Sequence, residues 1–281
     1  MSIPESYTCE THGDYPTENR GSMQWDCPTC RTEANAMERE WRQEWSRYWR
    51  WEGSGLPRRF QSRTLDNWTP RTASDASKLE AARAWINGLQ NNDGTGLLLL
   101  GGVGLGKTHM AAGLITETVL RTPMAPMYGT AADLFGSIRR CFDRKGHDQQ
   151  NADDVFDDIR SADLLVIDEV GVTMPTEWER GKLFELIDYR YSNLMPFVLV
   201  SNTSPSQLPR LIGERTADRL SECAVTLQFA GKSRREELAL EQSHRNALPA
   251  ITRPPEAIEA VICRSGTMTK MTAEATNGRL L

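Results

Sequence analysis

The sequence lacks any apolar run close to the roughly 18 residues that a membrane-spanning helix needs. Its first ten residues, MSIPESYTCE, lack the basic start and apolar stretch of a secretory signal. A large net charge is also missing: the formal value of −5 excludes a uniformly basic nucleic-acid-binding protein, although it leaves room for local basic patches. These absences predict a cytoplasmic protein with no membrane partner.

Cysteine is scarce beyond the first thirty residues, where three of the six occur. In a cytosolic chain, cysteines are more often metal ligands or buried thiols than disulfide partners. Cys141, Cys223 and Cys263 are isolated in the sequence, and we expect them to be structural.

Between residues 73 and 230, helical patterns alternate with short apolar runs. The runs LLLL, LLVI and FVLV are typical of strands that are buried on both faces of a sheet. Strands that alternate with helices favour a parallel sheet with crossover helices. The sequence therefore predicts an α/β fold with a three-layer αβα arrangement.

A glycine-rich motif, GGVGLGKT, follows the first of these runs and matches G-x-x-x-x-G-K-[ST]. Glycines let backbone N–H groups turn toward phosphate oxygens, and the helix start that follows adds a positive dipole end. A simple Gly-rich turn would not explain the Lys-Thr pair. We predict that Lys107 contacts the β- and γ-phosphates of ATP and that Thr108 binds Mg²⁺. The predicted nucleotide-binding residues are Gly102, Val103, Gly104, Leu105, Gly106, Lys107, Thr108 and His109.

An acidic pair, Asp168 and Glu169, ends the apolar run LLVIDEV. In a P-loop protein, such residues hold the metal and activate the attacking water, so Asp168 is the predicted Mg²⁺ ligand and Glu169 the general base. The alternative is an acidic strand end that caps the next helix. An adjacent Asp-Glu pair favours an ATPase over a small-molecule kinase, in which water attack would be wasteful.

Two later motifs offer polar groups for the same chemistry. The run PFVLVSN ends in Asn202, which could orient the attacking water or simply form a turn. In GERTADRL, Arg215 and Arg219 share a helix face. A guanidinium can stabilise phosphoryl-transfer charge, often from a neighbouring subunit, although Glu214 and Asp218 could make this a solvated face.

Two short pairs near the N-terminus have metal-ligand spacing. Cys9 and His12, and then Cys27 and Cys30, are each separated by two residues and together make a Cys₃His set suited to Zn²⁺. So small a segment needs a cross-link in order to fold, and a bound metal would supply it. Unconnected thiols and a redox Cys-x-x-Cys are the alternatives, but no βαβ pattern surrounds the pair.

A tryptophan stripe follows, in a helix predicted over residues 31–52. Trp41, Trp45 and Trp49 recur every four residues, with Arg42, Arg47 and Arg50 among them. Three interpretations stay open at this point: an anchor for a protein partner, intramolecular packing, or base stacking on single-stranded DNA.

The motifs GGVGLGKTH, LLVIDEVGV, LVSN, LIGERTADRL and KSRR, in this order, closely resemble the DnaC/DnaI family of replicative helicase loaders. The preceding LPRRFQSRTLDNW is similar to the short segment before the family's ATPase domain, so the resemblance covers about residues 55–236. It implies an AAA+ ATPase. By this likeness Asn202 is sensor 1, Arg219 is the trans-acting arginine finger with Arg215 as its companion, and Arg235 is sensor 2, with Arg234 as a substitute.

The resemblance also implies partners. A loader of this kind acts on a hexameric replicative helicase and single-stranded DNA, self-associates through the arginine finger, and releases the helicase after ATP hydrolysis. Its N-terminal region contacts the helicase. The basic residues Arg139, Arg140, Arg144 and Lys145 are candidates for phosphate contact, although the acidic DDVFDD nearby opposes this.

Other functions remain open on the sequence. A transposition-helper ATPase of the IstB type, acting on duplex DNA with a transposase, shares the ATPase motifs; the cysteine pairs and the upstream segment favour the loader. A nucleotide-dependent module that barely hydrolyses ATP would carry the same binding residues. We expect a zinc-binding module at 1–35, a Trp/Arg-rich helix and linker at 36–72, an AAA+ domain at 73–236 and a poorly ordered polar tail at 237–281.

Overall fold

The computed structural model describes residues 6–16, 27–91, 94–142, 152–234, 249–264 and 267–274. The chain divides into two compact units, one built from residues 1–49 and 253–281 and the other from residues 50–252. No helix within the described ranges has both the length and the apolar character of a membrane span.

The larger unit is built on a five-stranded parallel sheet with the order β4-β5-β6-β3-β7. Every residue of the leucine-rich strand β3 is buried, as expected for a central strand covered on both faces. The strands predicted from apolar runs are therefore confirmed. Their bounds are β3 Gly96–Gly101, β4 Pro126–Thr130, β5 Leu164–Val170, β6 Phe197–Ser201 and β7 Ala224–Phe229.

Helices cover both faces of this sheet. One core joins alternate strand residues to α2 and α3, and a second joins the other strand residues to α4 to α8. This three-layer αβα arrangement confirms the predicted fold class. The helices are α2 Ala73–Gly88, α3 Lys107–Arg121, α4 Ala131–Phe142, α5 Ala152–Ser161, α6 Glu177–Ser192, α7 Leu208–Ile212 and α8 Glu214–Cys223, with 3₁₀ turns at Arg58–Phe60 and Leu89–Asn91.

The segment before α2 is an integral part of this unit. Leu65 and Trp68 are almost completely buried in the core that contains α3. A Cβ on Gly113 would lie only 2.7 Å from the backbone nitrogen of Leu65, so glycine lets the segment approach α3 closely. The backbone N–H of Tyr128 donates to the carbonyl of Ser54 at 2.7 Å. This hydrogen bond pairs one of the backbone donors of the edge strand β4.

The smaller unit contains two antiparallel hairpins and most of a long helix. Strands β1 (Ser6–Cys9) and β2 (Gly13–Pro16) pair, and so do β8 (Ala257–Arg264) and β9 (Thr267–Glu274). Helix α1 spans Pro28–Glu52, close to its predicted bounds. The second hairpin differs from the expected poorly ordered tail, because its β-branched and apolar residues favour strand pairing over the disorder that the tail's overall polarity suggested.

Two of the three stripe tryptophans are buried and hydrogen-bonded within the smaller unit. Trp41 and Trp45 are 4% and 2% exposed, and both indole N–H groups donate to the carbonyl of Pro255, at 2.9 and 3.1 Å. Trp49 stacks on Trp45 with ring centroids 5.6 Å apart and remains 41% exposed. Intramolecular packing therefore accounts for Trp41 and Trp45, and only Trp49 offers a large free surface.

A fully buried arginine closes the end of the sheet at which the strands begin. The Arg190 guanidinium donates to the carbonyls of Arg160, Ala162, Asp163 and Pro196 at 2.5–3.2 Å. Burial lowers its pKa to about 10, so it stays protonated at neutral pH. It fastens the turns that lead into β5 and β6.

Arg190→Met is expected to lower the free energy of unfolding by about 3 kcal/mol or more, because several buried carbonyls would lose their donor. Urea denaturation followed by circular dichroism measures this change. The matched control is Arg210→Met on the exposed side of α7, expected to stay within about 0.5 kcal/mol. Equal stability of the two variants would contradict the role given to Arg190.

Candidate nucleotide site and cysteine–histidine cluster

The carboxyl ends of the parallel strands meet at one edge of the sheet. Gly101 of β3 lies opposite Phe229 of β7, and Leu100 lies opposite Ser201 of β6. Asp168 of β5 lies opposite Thr130 of β4. In open parallel sheets this edge is where ligands bind, so the pairing brings the glycine-rich loop and the acidic pair together.

The glycine-rich loop has the conformation that the motif predicts. Gly104 and Gly106 have φ angles of 76° and 92°, a region that residues with a Cβ rarely adopt. Lys107 is 5% exposed, and its ammonium donates to the carbonyls of Gly101 at 2.7 Å and Gly102 at 2.6 Å. The charge therefore lies over a loop that leads into the start of α3. Positive charge beside the N-terminus of a helix suits a polyphosphate.

The acidic pair lies in a β-bulge. The pairing of β5 with β6 shifts between Ile167 and Val170, and Glu169 has a left-handed φ of 58°. As a result Asp168 is 2% exposed whereas Glu169 faces solvent. Bulges re-aim side chains, and such backbone strain, about 1–3 kcal/mol, clusters at functional sites.

Both oxygens of the Asp168 carboxylate are hydrogen-bonded. Oδ1 accepts the backbone N–H of Glu169 at 2.7 Å, and Oδ2 accepts the hydroxyl of Tyr128 at 2.9 Å. Burial and the negative charge of Asp168 raise the pKa of Tyr128, so the phenol keeps its proton and donates. The sequence analysis did not identify Tyr128, because nothing in PMYGT distinguishes it from an ordinary strand residue.

Arg234 contacts the glycine-rich loop directly. Its backbone N–H donates to the carbonyl of Gly104 at 2.7 Å. Its guanidinium donates to the carbonyl of Thr69 at 2.6 Å and to Asp75 Oδ2 at 2.9 Å, and lies 4.2 Å from the ring centroid of Trp68. Arg235, the predicted sensor 2, lies outside the described residues. Arg234, the alternative given for that role, lies within them.

Asp75 and Trp68 are further residues beside the loop that the sequence analysis did not single out. Burial raises the pKa of Asp75, but the Arg71 N–H and the charges of Lys78 and Arg234 outweigh it and lower that pKa overall. The Trp68 indole N–H donates to the carbonyl of Gly106 at 3.1 Å. Trp68 ends the stretch RTLDNW, which carried only a family resemblance, and Asp75 lies in the first turn of α2.

Two other predicted site residues take different positions. The His109 imidazole Nε2 lies 3.1 Å from the carbonyl of Thr64 and 2.7 Å from Asn67 Oδ1, so it contacts the segment before α2. Asn202 is exposed just after β6. The preceding Ser201 donates its hydroxyl to the carbonyl of Val170 at 2.6 Å, which fastens the end of β6 to the bulged end of β5.

The arginine pair of GERTADRL lies on α8. Arg219 forms ion pairs with Asp188 at 3.2 Å and Glu222 at 3.4 Å, and lies 4.8 Å from the ring centroid of Tyr191. Burial lowers the pKa of Arg219, but the two carboxylates raise it overall. Arg215 is exposed. A role in a neighbouring subunit's site stays a prediction for both.

Of the basic residues proposed to contact DNA phosphates, Arg139 already contacts other side chains. Arg139 donates to Thr176 Oγ1 at 3.2 Å, pairs with Glu179 at 3.4 Å and lies 4.9 Å from the Trp178 ring centroid. Arg140 is exposed on the same helix, α4. Arg144 and Lys145 lie outside the described residues, and the exposed acids of α5 follow at Asp153, Asp154, Asp157 and Asp158.

In the smaller unit, the predicted zinc ligands converge. The ligand atoms of Cys9, His12, Cys27 and Cys30 all lie within 4.8 Å of one another. Cys9 Sγ is 3.6 Å from Cys30 Sγ, and His12 Nδ1 is 3.3–3.8 Å from the three sulfurs. Tetrahedral Zn²⁺ needs separations of about 3.8 Å between sulfurs and about 3.5 Å between sulfur and nitrogen. The donor set therefore fits zinc.

Neighbouring groups favour the thiolate form of Cys9. Burial raises the pKa of the Cys9 thiol, but hydrogen bonds from the backbone of His12 and Thr11 outweigh it and lower the pKa to about 6. A thiolate is the form that binds metal. His12 Nε2 lies 3.2 Å from Glu33 Oε1, the arrangement by which a carboxylate orients a metal-binding imidazole. The sequence analysis missed Glu33, since its contact depends on where α1 starts.

Known proteins resemble the central part of this chain. The family model described as IstB-like ATP binding protein matches residues 37–241. The replicative helicase loader DnaC of Escherichia coli (strain K12) is 27% identical over 167 residues, 59% of this chain and 66% of that protein. The uncharacterized protein YdaV of the same strain is 28% identical over 127 residues, 45% of this chain and 49% of that protein. The chain thus spans just under two thirds of the helicase loader's length.

Solved structures share the fold. The DnaC helicase loader superimposes with a TM-score of 0.57 at 22% identity, covering 62% of this chain and 100% of that one. DnaI gives 0.53 at 19% identity, covering 64% and 94%. AMPPCP-bound DnaA from Aquifex aeolicus gives 0.52 at 20% identity, covering 69% and 58%. The chain belongs to the IstB-like ATP binding protein family, and the candidate nucleotide site lies in an ATPase domain of the AAA+ fold.

Proposed function

We propose that this protein loads a replicative DNA helicase onto single-stranded DNA and uses ATP hydrolysis to release it. The observation that carries the proposal is the alignment of its ATPase domain with proteins named replicative helicase loader DnaC. The convergence of Lys107, Asp168 and Glu169 at one sheet edge supports the hydrolytic part of the proposal.

The glycine-rich loop is proposed to bind ATP. Lys107 would exchange its two carbonyl acceptors for phosphate oxygens, a short movement because its ammonium already lies over the loop. Thr108 and Asp168 would hold Mg²⁺, which neutralises the charge that develops on the phosphates. Arg234 is the proposed sensor 2 residue, since its backbone already contacts Gly104.

Glu169 is the proposed general base. Its carboxylate faces solvent beside the buried Asp168, so it can take a proton from a water molecule without displacing the metal ligand. Asn202, exposed just after the neighbouring strand, is proposed to orient that water. The two roles require side chains that differ in exposure, and the bulge at β5 provides this difference.

Coupling between subunits is assigned to α8. In the proposed oligomer, Arg219 reaches the nucleotide of a neighbouring subunit and stabilises the charge of phosphoryl transfer. It would first have to leave its ion pairs with Asp188 and Glu222, both exposed enough for solvent to weaken them. Arg215, on the same helix, would assist.

The smaller unit is proposed to bind zinc and dock the helicase. Filling all four zinc positions with protein ligands gives a structural metal, which stabilises the segment without taking part in hydrolysis. Exposed Trp49 and Met37 on α1 offer apolar surface for the partner, whereas Trp41 and Trp45 contribute by packing.

A second candidate is a transposition-helper ATPase acting on duplex DNA with a transposase. The observation that favours it is the family model itself, which is described by its likeness to IstB. The two candidates share the nucleotide chemistry and differ in the partner that the ATP-bound form holds.

The test is retention of purified replicative helicase on the immobilised full chain, with and without Mg²⁺ and ATP. We expect ATP-dependent retention followed by release. Glu169→Gln should slow hydrolysis about 10²–10⁴-fold and prolong retention accordingly, because ATP binding remains while the base is lost. Glu177→Gln, an exposed glutamate on α6, is the matched control and should behave as the unaltered protein.

Failure to retain helicase in any nucleotide state would overturn the loader proposal. ATP-dependent capture of a transposase on duplex DNA, measured in parallel, would support the second candidate instead.

Zinc binding has its own test. Cys27→Ser should reduce bound zinc from about one ion per chain to a small fraction of that, because a hydroxyl is a poor zinc ligand. Cys141→Ser is the control, because this thiol on α4 donates to the carbonyl of Ser137 and a hydroxyl can make the same hydrogen bond. Metal content is measured by plasma mass spectrometry, and equal zinc in both variants would rule out the ligand set.

A further inference from the structure

Tyr128 faces the predicted magnesium ligand because of the register between two strands. Thr130 of β4 is the partner of Asp168 in β5, and Tyr128 precedes Thr130 by two residues. Residues two apart share a face of the sheet, so Tyr128 is the diagonal neighbour of Asp168, within reach of a long aromatic side chain. Its hydroxyl lies 2.9 Å from Asp168 Oδ2, and both side chains are more than nine-tenths buried.

The two hydrogen bonds to Asp168 fix the plane of its carboxylate. A carboxylate offers about four lone-pair positions. The Glu169 N–H takes one on Oδ1 and the Tyr128 hydroxyl takes one on Oδ2, which leaves one free position on each oxygen. Of these two donors, the backbone N–H is adjacent in the chain and holds only one oxygen. Because the two oxygens turn together about the Cβ–Cγ bond, the phenol on Oδ2 adds a second restraint on the carboxylate plane, and this restraint comes from a different strand.

We propose that Tyr128 is a positioning residue that orients the Asp168 carboxylate and thereby sets the affinity of the nucleotide site for Mg²⁺. This inference rests on the proposed role of Asp168 as a metal ligand. Tyr128 itself contacts neither metal nor nucleotide; it acts through Asp168. Groups that orient a metal ligand in this way typically contribute about 10–100-fold in metal affinity or activity.

The test compares Tyr128→Phe with the unaltered full-length protein by calorimetric titration with a non-hydrolysable ATP analogue. In EDTA, the two proteins should bind the analogue with affinities that agree within about twofold, because the phosphate-binding loop is intact in both. When Mg²⁺ is added in steps, Tyr128→Phe should need about tenfold more Mg²⁺ than the unaltered protein to reach half of its gain in affinity. Tyr189→Phe is the matched control, since its ring on α6 packs beside Arg160 in a part of the chain that does not contact Asp168, and it should change neither value.

Three results separate the possibilities. An unchanged Mg²⁺ requirement in Tyr128→Phe, alongside a raised requirement in Asp168→Asn, would overturn the role of Tyr128 alone. No change in Asp168→Asn would overturn the proposed metal ligand itself. Equal losses of affinity in EDTA and in Mg²⁺ would indicate a general packing role and also overturn the inference. If Tyr128 acts through Asp168, adding Tyr128→Phe to Asp168→Asn should have no further effect.

Discussion

Parallel pairing of β3 between β6 and β7 is the constraint on which the nucleotide site depends. Because every strand of the sheet runs in the same direction, each carboxyl end reaches the same edge. The glycine-rich loop can then wrap the start of α3, with Asn202 just after the adjacent strand β6 and Asp168 in the next strand, β5. The buried leucines of β3 hold this arrangement, since a one-residue slip in its register would move the loop away from the acidic pair.

A second feature is that the site draws on chain from both ends of the ATPase domain. Trp68 and Asp75 come before the sheet, and Arg234 comes directly after its last strand. The Arg234 guanidinium contacts both Trp68 and Asp75. The Trp68 indole donates to the carbonyl of Gly106, and the backbone N–H of Arg234 donates to that of Gly104. Movement of either flanking segment would therefore change the contacts of the loop.

Patterns of short spacing could be read from the sequence, whereas contacts across the fold could not. The glycine-rich loop, the acidic strand end and the metal-ligand pairs are local patterns, so residues such as Lys107 and Cys27 could be proposed directly as site residues. Tyr128 could not be, because its role follows from the register of β4 with β5. Trp41 was left undecided for the same reason: a helical stripe shows which side chains share a face, but not what covers it. The hairpin in the tail was missed because average polarity obscured its strand-forming residues.

The most direct test of the account is a crystal structure of the full chain with Mg²⁺ and a non-hydrolysable ATP analogue. We predict a triphosphate on the glycine-rich loop, with the Lys107 ammonium moved from the carbonyls of Gly101 and Gly102 to phosphate oxygens. The metal should lie between Thr108 and Asp168. A nucleotide bound at another place, or bound to the loop while Lys107 keeps both carbonyl contacts, would contradict the central claim that this sheet edge is the ATP site.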